Sequence, residues 1–391
     1  MRTIEKILIV NYEYPPLGGG GGVATYELAK EWAKTAQVDV LTSSFKGLPS
    51  FEVSEGVNIY RCPIFLRKSR DSAGLVSMLS YLITGFFKGY GLCRKRKYSI
   101  INTQFALPSG PLGWILSKIF NLKNVLSIHG GDIYDPSKKL SPHRSPIFRR
   151  VVKFVLNHCD YIVAQSSNTK TNCEKYYMPN RPLTIIPLAF TKPQFEKVKR
   201  SELNIEDKDF IIVSIGRLVK RKAFDDSIKI ISKLSKLPIK LLIIGDGPER
   251  EYLEKTIVDC EVTEKVKILG YLSNDEKFSY INCSDMMLMT SLHEGFGIIF
   301  MEAMFLGLPI ACTNHGGQVD FVKHEKNGLL FNVGDIESGV EAVERLIKDK
   351  KLFKICSKNN IKDIENFYSD KIAAKYMILF EEILKNNKKN N

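Results

Sequence analysis

The chain has 391 residues, and its 57 Lys+Arg against 43 Asp+Glu give a formal net charge of +14. With 44% hydrophobic and 26% charged residues it has the composition of a globular protein, which excludes a disordered or fibrous chain. A single core stops growing at roughly 250 to 300 residues, so two domains are expected. The charge divides unevenly: residues 1–190 hold 25 basic and 12 acidic side chains, and residues 191–391 hold 32 and 31.

Short β-type runs alternate with helical stretches along the whole chain. In the first half the predicted strands are 6–11, 38–42, 57–60, 99–103, 125–129, 161–164 and 184–187. In the second half they are 210–216, 240–245, 266–270, 286–290, 309–312 and 328–331. Runs 211–213 and 241–244 are apolar without alternation, which is typical of parallel strands buried on both faces. The pattern predicts an α/β fold of two doubly wound domains with a boundary near residues 188–200.

The first predicted strand is followed by five glycines at 18–22 and by a helix predicted over about 24–33. Glycine lets a ligand approach the backbone closely, and a helix start favours an anion. We interpret the run as a phosphate or acceptor contact, with a flexible loop as the alternative. It is not the dinucleotide-binding fingerprint Gly-x-Gly-x-x-Gly, because Val23 stands at the sixth position.

A largely apolar, uncharged run covers residues 72–87 and precedes the basic cluster 94–97. Its sixteen residues are fewer than the roughly 20 that span a bilayer, and Leu75, Leu79 and Phe86 recur at helical spacing. One interpretation is a core helix of the first domain with a solvated basic end. The other is a membrane-contacting surface with the basic cluster at the level of the headgroups.

Ligands in open α/β sheets bind beyond the carboxyl ends of the strands. One such turn holds His129, two glycines and Asp132. A histidine there can donate to a sugar hydroxyl or support charge at a reacting centre, although a structural histidine is the alternative. Another turn carries Arg217 and Lys222, which can flank a diphosphate, the Arg as a bidentate fork and the Lys as a point charge. A solvated basic loop is the alternative.

The turn Gly-Phe-Gly at 295–297 lies between Glu294 and an apolar helix that contains Glu302. The turn offers free amides at a helix N-terminus, and the two carboxylates could bind two different sets of hydroxyls. A glutamate in an apolar helix is costly unless it has partners. This mismatch predicts a polar ligand at the segment.

Together these motifs resemble those of the retaining glycosyltransferases of family 4, nucleotide-sugar-dependent enzymes of the GT-B class. The most specific element is the pair Glu294 and Glu302, within Glu-Gly-Phe-Gly and before Gly-x-Pro. The other matching motifs are Gly-Arg-Leu at 216–218 with Lys222, Gly-Asp-Gly-Pro-Glu-Arg at 245–250, and Gly-Gly-x-x-Asp at 316–320.

The resemblance implies two Rossmann-like domains that face a central cleft. The acceptor-side domain would comprise residues 1–190 plus a C-terminal helix at about 370–391, and the donor-binding domain residues 191–369.

The resemblance also implies donor-side roles. Arg217 and Lys222 would hold the donor diphosphate, and Glu302 the ribose hydroxyls. The transferred sugar would be held by Glu294 and by the amides of Phe296 and Gly297. The base would be contacted by backbone near Gly270 and Tyr271.

On the acceptor side, Gly19 and Gly20 would approach the donor phosphate and the acceptor, with Gly18 and Asp132 beside them. His129 would lie at the sugar. The expected catalytic residues are His129, Glu294, Arg217 and Lys222.

Three positions depart from the family pattern. Ala223 stands where the family usually has glycine after the lysine, Pro-Leu-Ala at 187–189 replaces Pro-Asn-Gly, and Asp320 replaces glutamate. The first two bear on hinge geometry and donor placement, and the third on side-chain reach only.

No metal or other cofactor is expected. The Asp-x-Asp at 207–209 precedes a strand, at the end opposite the functional one, and is interpreted as a solvated turn. Arg217, Lys222 and helix amides would instead stabilise the leaving diphosphate. The resemblance implies retention of anomeric configuration by a front-face mechanism.

The sequence thus predicts a hexosyltransferase that moves a sugar from a UDP- or GDP-sugar to a lipid-linked or cell-surface polysaccharide acceptor. The rivals are a GT-B sugar-nucleotide epimerase, a soluble glucan or disaccharide synthase, and a nucleic-acid-binding protein, for which the basic half lacks aromatic-basic interleaving. The positive N-terminal half predicts an anionic membrane surface as a partner. Eight scattered cysteines and no expected secretory signal favour the cytoplasm, on the inner face of the cell membrane.

Overall fold

A computed structural model of the protein describes residues 4–67, 74–137 and 141–386. The backbone divides into two compact units. The first comprises the chain up to Thr191 together with the chain from Phe367 onward, and the second comprises Lys192–Asn366.

The first unit is built on one eight-stranded sheet. Its strands are β1 (Lys6–Asn11), β2 (Gln37–Ser43), β3 (Phe51–Ser54), β4 (Val57–Cys62), β5 (Ile100–Gln104), β6 (Lys123–Ile128), β7 (Tyr161–Ala164) and β8 (Leu183–Ile185). Its helices before the second unit are α1 (Gly20–Ala33), α2 (Leu75–Lys95), α3 (Ser109–Ile119), α4 (Pro146–His158) and α5 (Ser167–Tyr177).

The second unit is built on a six-stranded parallel sheet. Its strands are β9 (Phe210–Ile215), β10 (Ile239–Ile244), β11 (Val266–Gly270), β12 (Met286–Met289), β13 (Ile310–Thr313) and β14 (Gly328–Phe331). Its helices are α6 (Phe224–Lys233), α7 (Arg250–Asp259), α8 (Asn274–Asn282), α9 (Ile298–Phe305), α10 (Ile336–Lys348) and α11 (Lys350–Asp363).

Both sheets reverse their strand order at their first strand. In the order β3-β4-β2-β1-β5-β6-β7-β8, β1 lies between β2 and β5, and in the order β11-β10-β9-β12-β13-β14, β9 lies between β10 and β12. Crevices for ligands form where the order reverses, beyond the carboxyl ends of the strands. The predicted α/β class with two Rossmann-like domains is confirmed.

Strand β3 was not predicted, and it is the strand that pairs antiparallel, with β4. It is a short edge strand, and its Phe51 and Val53 side chains are 46% and 61% exposed. The chain turns back through Glu55 and Gly56, both at positive φ. An edge strand buries too little apolar surface to give the continuous hydrophobic pattern that identified the other strands.

The last helix, α12 (Ser369–Asn386), packs on α1 within the first unit. The Trp32 indole N–H donates to the carbonyl oxygen of Ala373 at 3.2 Å, and its ring meets the edges of Tyr376 and Phe380 at about 5.5 Å. These side chains belong to one buried cluster with strands β1 and β2. The C-terminal segment is therefore part of the first unit's core.

Helix α2 buries only part of the apolar face that its sequence suggests: Met78, Leu82 and Phe86 are partly buried against the core of the first unit. It buries the small residues Ser77, Ser80, Gly85 and Gly89, whereas Leu75, Val76, Leu79, Ile83 and Phe87 are 51–71% exposed. Added Cβ atoms at Gly85 and Gly89 would lie 2.7 and 2.6 Å from leucine side chains of α3. Small residues let the two helices approach closely, and these five large apolar side chains of α2 remain at the surface. Residues 72 and 73 of the predicted run lie outside the described residues.

Within the described ranges, no helix combines the length and the apolar character that crossing a membrane requires.

Two glycines of α2 give a matched test of this packing. Gly89→Ala is expected to lower the free energy of unfolding by about 1 kcal/mol or more, because the added methyl overlaps Leu116 and Leu41. The Cβ added by Gly91→Ala would meet no atom within 4 Å. This variant should raise the free energy of unfolding by about 0.5–1 kcal/mol, because alanine favours helix more than glycine does. Urea denaturation of both variants checks this, and equal shifts would contradict the close approach of α2 to α3.

Candidate functional site

Helix α1 begins at Gly20, four residues before the predicted start. Three of the five glycines therefore form its first turn, although glycine disfavours helix. Close packing explains this: a Cβ at Gly21 would lie 2.7 Å from the Phe105 ring and 3.1 Å from His129 Nδ1. A Cβ at Gly22 would lie 2.9 Å from the carbonyl oxygen of Glu13. The run is thus a helix start pressed against the β5 and β6 turns.

The glycines before the helix form the open part of this turn. Gly18 has φ of 89°, in the left-handed region that favours glycine, and a Cβ there would overlap the Glu13 side chain. The Gly19 N–H donates to Glu13 Oε2 at 3.3 Å, and a Cβ at Gly19 would meet nothing within 4 Å. Gly19 is therefore accessible to a ligand. Glu13, which the sequence analysis did not single out, supports the loop.

His129 lies at the end of β6, stacked on the Phe105 ring at 4.1 Å. Its Nε2 lies 2.7 Å from Gln104 Oε1, whose orientation is set because Gln104 Nε2 donates to Asn102. His129 Nε2 is therefore the donor, and Nδ1, which has no partner in the described residues, is an acceptor. Burial lowers the pKa of His129 to about 3, so the imidazole is neutral at pH 7.

Asp132 is engaged within the protein itself. Its two carboxylate oxygens accept from the backbone N–H groups of His129, at 2.9 Å, and Ala106, at 2.6 Å, and the residue is 8% exposed. Burial raises the pKa of this carboxyl to about 6. The sequence predicts an acceptor-side contact for Asp132, whereas the structure makes it the residue that ties the β6 turn to the β5 turn.

In the second unit, Glu294 and Lys222 form a buried ion pair after β12 and β9. Lys222 Nζ lies 2.5 Å from Glu294 Oε1, which also accepts from the Ser291 hydroxyl at 2.8 Å, and Arg221 lies 3.3 Å from Oε2. Burial raises the pKa of Glu294, but Lys222 and Arg221 outweigh it and leave the pKa below its ordinary value. Glu294 is therefore an ionised acceptor.

The neighbouring cation Arg217 is free to meet a ligand. It follows β9 directly, is exposed, and has no hydrogen bond or ion pair among the residues that the structure describes. The Lys222 side chain runs back across the same strand end, since a Cβ at Gly216 would lie 3.2 Å from its Nζ. Ala223 has φ of 46°, a left-handed conformation that costs a non-glycine residue about 1–2 kcal/mol. The departure from the family's glycine is therefore a strained position.

Glu302 lies one turn into α9 and is 8% exposed. Its Oε1 accepts from Lys277 of α8 at 2.7 Å, and its buried Oε2 has no partner in the described part of the chain. Burial raises the pKa of Glu302 above its ordinary value, and Lys277 offsets this only in part. A buried carboxylate oxygen without a partner is costly, and it is an acceptor ready for a ligand hydroxyl.

The turn before α9 supplies backbone donors. Gly297 has φ of 94°, and a Cβ there would lie 2.5 Å from the Phe300 ring, so only glycine fits this turn. The N–H groups of Phe296 and Gly297 donate to nothing within the described ranges. The Phe296 ring is buried against Phe321.

Gly270 ends strand β11, and its carbonyl oxygen accepts from the Gly245 N–H at 2.8 Å. The Tyr271 side chain that follows is 84% exposed. Both residues lie at the same sheet edge as Arg217 and Glu294, because all the strands of this sheet are parallel.

Three partners of the candidate residues escaped the sequence analysis: Arg221 and Ser291 at Glu294, and Lys277 at Glu302. Arg221 belonged to a basic run that was recognised, but Lys277 is 25 residues from Glu302 and on another helix. Asp209 is paired with Lys240 at 2.5 Å, at the opposite sheet edge. No group of three or more His, Cys, Asp or Glu residues among those described is placed to hold a metal ion.

Two family models match the chain, one in each half. Residues 18–190 match the model described as Glycosyltransferase Family 4, and residues 195–363 match the model described as glycosyl transferases group 1.

Similar proteins cover nearly the whole chain. N-acetyl-alpha-D-glucosaminyl L-malate synthase of Bacillus anthracis is 24% identical over 96% of this chain and 97% of its own. UDP-Gal:alpha-D-GlcNAc-diphosphoundecaprenol alpha-1,3-galactosyltransferase of Escherichia coli is 26% identical over 96% of this chain and 98% of its own. The structure of sucrose-phosphate synthase from Thermosynechococcus elongatus has a TM-score of 0.84 at 20% identity, covering 97% of this chain and 99% of that one, which shows likeness of fold.

The two glutamates should affect stability in opposite directions. The raised pKa of Glu302 means that folding disfavours its ionised form, so Glu302→Gln should be more stable than wild type at pH 7 and equal to it below the ordinary pKa of about 4.3. The lowered pKa of Glu294 means that its charge stabilises the fold, so Glu294→Gln should be less stable at pH 7, a deficit lost as pH falls through the folded pKa.

Urea denaturation midpoints of the two variants and wild type at acid and neutral pH measure both effects. A Glu302→Gln variant that is less stable than wild type at pH 7 would contradict the assignment of an unsatisfied, buried carboxylate.

Proposed function

Because the chain belongs to the group 1 glycosyltransferases of family 4, we propose that it transfers a hexose from a UDP- or GDP-sugar to a lipid-linked or cell-surface polysaccharide acceptor, with retention of anomeric configuration. The observation that carries the proposal is the edge of the second sheet, where the exposed Arg217 and the buried Glu302 Oε2 have no hydrogen-bond partner among the described residues and Glu294 is ionised. This combination suits a ligand that carries both negative charge and hydroxyl groups. The Escherichia coli relative supports the donor and acceptor classes, since its name contains UDP-Gal and a diphosphoundecaprenol.

The donor would be held by groups of the second unit. Arg217 binds the diphosphate through its guanidinium fork, and Lys222 turns from Glu294 toward the phosphates. Glu302 Oε2 accepts from ribose hydroxyls. Glu294 and the amides of Phe296 and Gly297 hold the hexose, and the exposed Tyr271 lies where the base would extend.

Transfer breaks the bond between the anomeric carbon and the diphosphate oxygen and forms a bond from an acceptor hydroxyl oxygen to that carbon on the same face. The acceptor proton leaves with the diphosphate. Arg217 and Lys222 stabilise the charge that develops on the leaving oxygen, which is where fixed cations lower the barrier. His129 is neutral at pH 7, so it would accept a substrate hydroxyl through Nδ1 rather than supply a positive charge.

Donor use tests the proposal. The purified chain is incubated with radiolabelled UDP-glucose, UDP-galactose or GDP-mannose, with and without a lipid extract, and label is followed into the organic phase. Transfer only in the presence of lipid extract supports the proposal. An epimerised nucleotide sugar formed without acceptor, or a water-soluble glycoside, would favour the epimerase or the soluble synthase instead.

Arg217→Ala should raise the KM for the donor about tenfold or more, because it removes charge-assisted hydrogen bonds worth roughly 1.5–3 kcal/mol each. Its thermal midpoint should stay close to the wild-type value, since Arg217 is exposed and forms no hydrogen bond or ion pair with the described residues. Lys220→Ala, another exposed cation of the same turn, is the control and should keep the wild-type KM. A wild-type KM in Arg217→Ala would exclude Arg217 from the donor site. Lys222→Ala is a poorer probe, since breaking a buried ion pair costs about 3–5 kcal/mol of stability.

We also propose that the first unit binds the anionic inner face of the cell membrane, from the cytoplasm, through α2. Its five outward apolar side chains, which include Ile83 and Phe87, adjoin a groove formed with Pro111, Trp114 and Ile115 of α3. The exposed Arg94, Lys95 and Lys97 follow at its end. Apolar side chains bordered by cations suit the boundary between acyl chains and anionic headgroups.

Vesicle sedimentation tests this surface. Ile83→Ser/Phe87→Ser should reduce binding to phosphatidylglycerol-containing vesicles about tenfold or more, from the loss of buried apolar area. Val258→Ser/Ile378→Ser removes two side chains of similar exposure, 63% and 60%, on other helices and should leave binding unchanged. Equal binding by both double variants would show that α2 is not the contact.

A further inference from the structure

A second set of cations in the first unit lies outside the machinery described so far. Helix α4, the loop before it and the end of α5 enclose a surface pocket of about 320 Å³. Its lining residues are His143, Arg144, Pro146, Arg149, Arg150, Lys153 and Tyr176. Four of these seven carry a positive charge, and none carries a negative one. We call it the α4 pocket.

No acidic side chain among the described residues neutralises the cations of the α4 pocket. Arg144, Arg150 and Lys153 are exposed and form no ion pair among the residues that the structure describes. Arg149 donates through Nε to the carbonyl oxygen of Tyr176 at 3.1 Å, which fixes the guanidinium at the pocket without cancelling its charge. Like charges held together repel one another, so an anion placed among them is stabilised.

Two rings that line the α4 pocket, those of His143 and Tyr176, pack against a third ring, that of Tyr134. Tyr134 stacks on Tyr176 at 5.3 Å and lies 4.5 Å from His143. The Ser141 hydroxyl oxygen accepts from the Asp135 N–H and lies 2.8 Å from His143 Nδ1, which fixes the orientation of the His143 ring. Burial and then the charge of Arg144 lower the pKa of His143, which keeps the ring neutral at pH 7. The pocket thus presents donors to a ligand.

The α4 pocket is joined to the β6 turn. The N–H groups of Ile133 and Tyr134 donate to the carbonyl oxygen of Gly130 at 2.8 and 2.7 Å. Tyr134, which packs against two rings of the pocket, therefore belongs to the same turn as His129 and Asp132. The pocket is thus next to the loop that carries the acceptor-side candidates.

We propose that the α4 pocket binds a phosphate-bearing group of the acceptor substrate. That the ligand is an acceptor rests on the function proposed above, whereas the anion site rests on the pocket alone. Four cations suit a phosphate monoester, with a charge of about −1.5 to −2, or a diphosphate better than a single carboxylate. Arginine forks and a lysine are the donor set that binds phosphate oxygens with both geometry and charge.

Calorimetric titration with inorganic pyrophosphate tests the site, in an Arg217→Ala background that weakens the expected donor diphosphate site. Arg150→Ala/Lys153→Ala should weaken pyrophosphate binding about tenfold or more, because it removes two charged donors. Arg150→Lys/Lys153→Arg keeps the charge and should retain most of the affinity. Lys351→Ala/Lys354→Ala removes two exposed cations of α11 in the other unit and should change nothing.

Equal pyrophosphate affinity in the α4-pocket variant and the α11 variant would overturn the proposal, as would the absence of pyrophosphate binding at physiological salt. Vesicles of phosphatidylcholine with or without phosphatidate then identify the source of the phosphate. If only the phosphatidate vesicles reduce pyrophosphate binding, the pocket binds a phosphate carried by a lipid. If neither kind of vesicle reduces it, the pocket binds a phosphate of a water-soluble molecule.

Activity of the otherwise wild-type chain separates this proposal from the proposed function. With acceptor from the lipid extract, Arg150→Ala/Lys153→Ala should raise the KM for acceptor while the KM for donor stays unchanged. If the wild type shows no transfer but the pocket variant still binds pyrophosphate more weakly than wild type, the transferase proposal is wrong and the anion site stands. If the wild type shows transfer and the pocket variant has an unchanged KM for acceptor, the pocket does not bind the acceptor and the transferase proposal stands.

Discussion

The buried ion pair between Lys222 and Glu294 is the interaction on which the donor side depends. Neither charge could be buried alone, because an isolated ion in a low-dielectric interior costs several kcal/mol or more. Paired at 2.5 Å, each fixes the other at the ends of two neighbouring strands, β9 and β12. The pair also keeps Glu294 ionised and available to accept a hydroxyl. Site geometry and local stability are therefore coupled in one contact.

Glu302, in the helix that follows Glu294, shows the opposite arrangement. One of its oxygens is satisfied by Lys277, and the other is buried without a partner. The protein thus holds one glutamate whose charge stabilises the fold and one whose charge opposes it. Sites that must receive a ligand often retain such unsatisfied groups, because a partner supplied by the protein would compete with the ligand.

On the first unit, small residues decide what faces outward. Glycine and serine positions let α2 approach α3, and five large apolar side chains of α2 remain at the surface. Spacing alone favoured burying those side chains, since periodicity identifies an apolar face but not its partner. Likewise the first turn of α1 contains glycine, because Phe105 and His129 leave no room for a Cβ at Gly21.

The sequence by itself determined the α/β class, thirteen of the fourteen strands and the strand ends where the candidate residues lie. Those features depend on local hydrophobic patterns and on turn residues, which a linear chain displays directly. Only the tertiary structure decided the partners: Lys222 with Glu294, 72 residues apart, Lys277 with Glu302, and Gln104 with His129. It also decided which cations, at Arg217 and in the α4 pocket, remain unpaired. Pairing, burial and protonation depend on side chains that are distant in sequence, and local patterns carry no record of them.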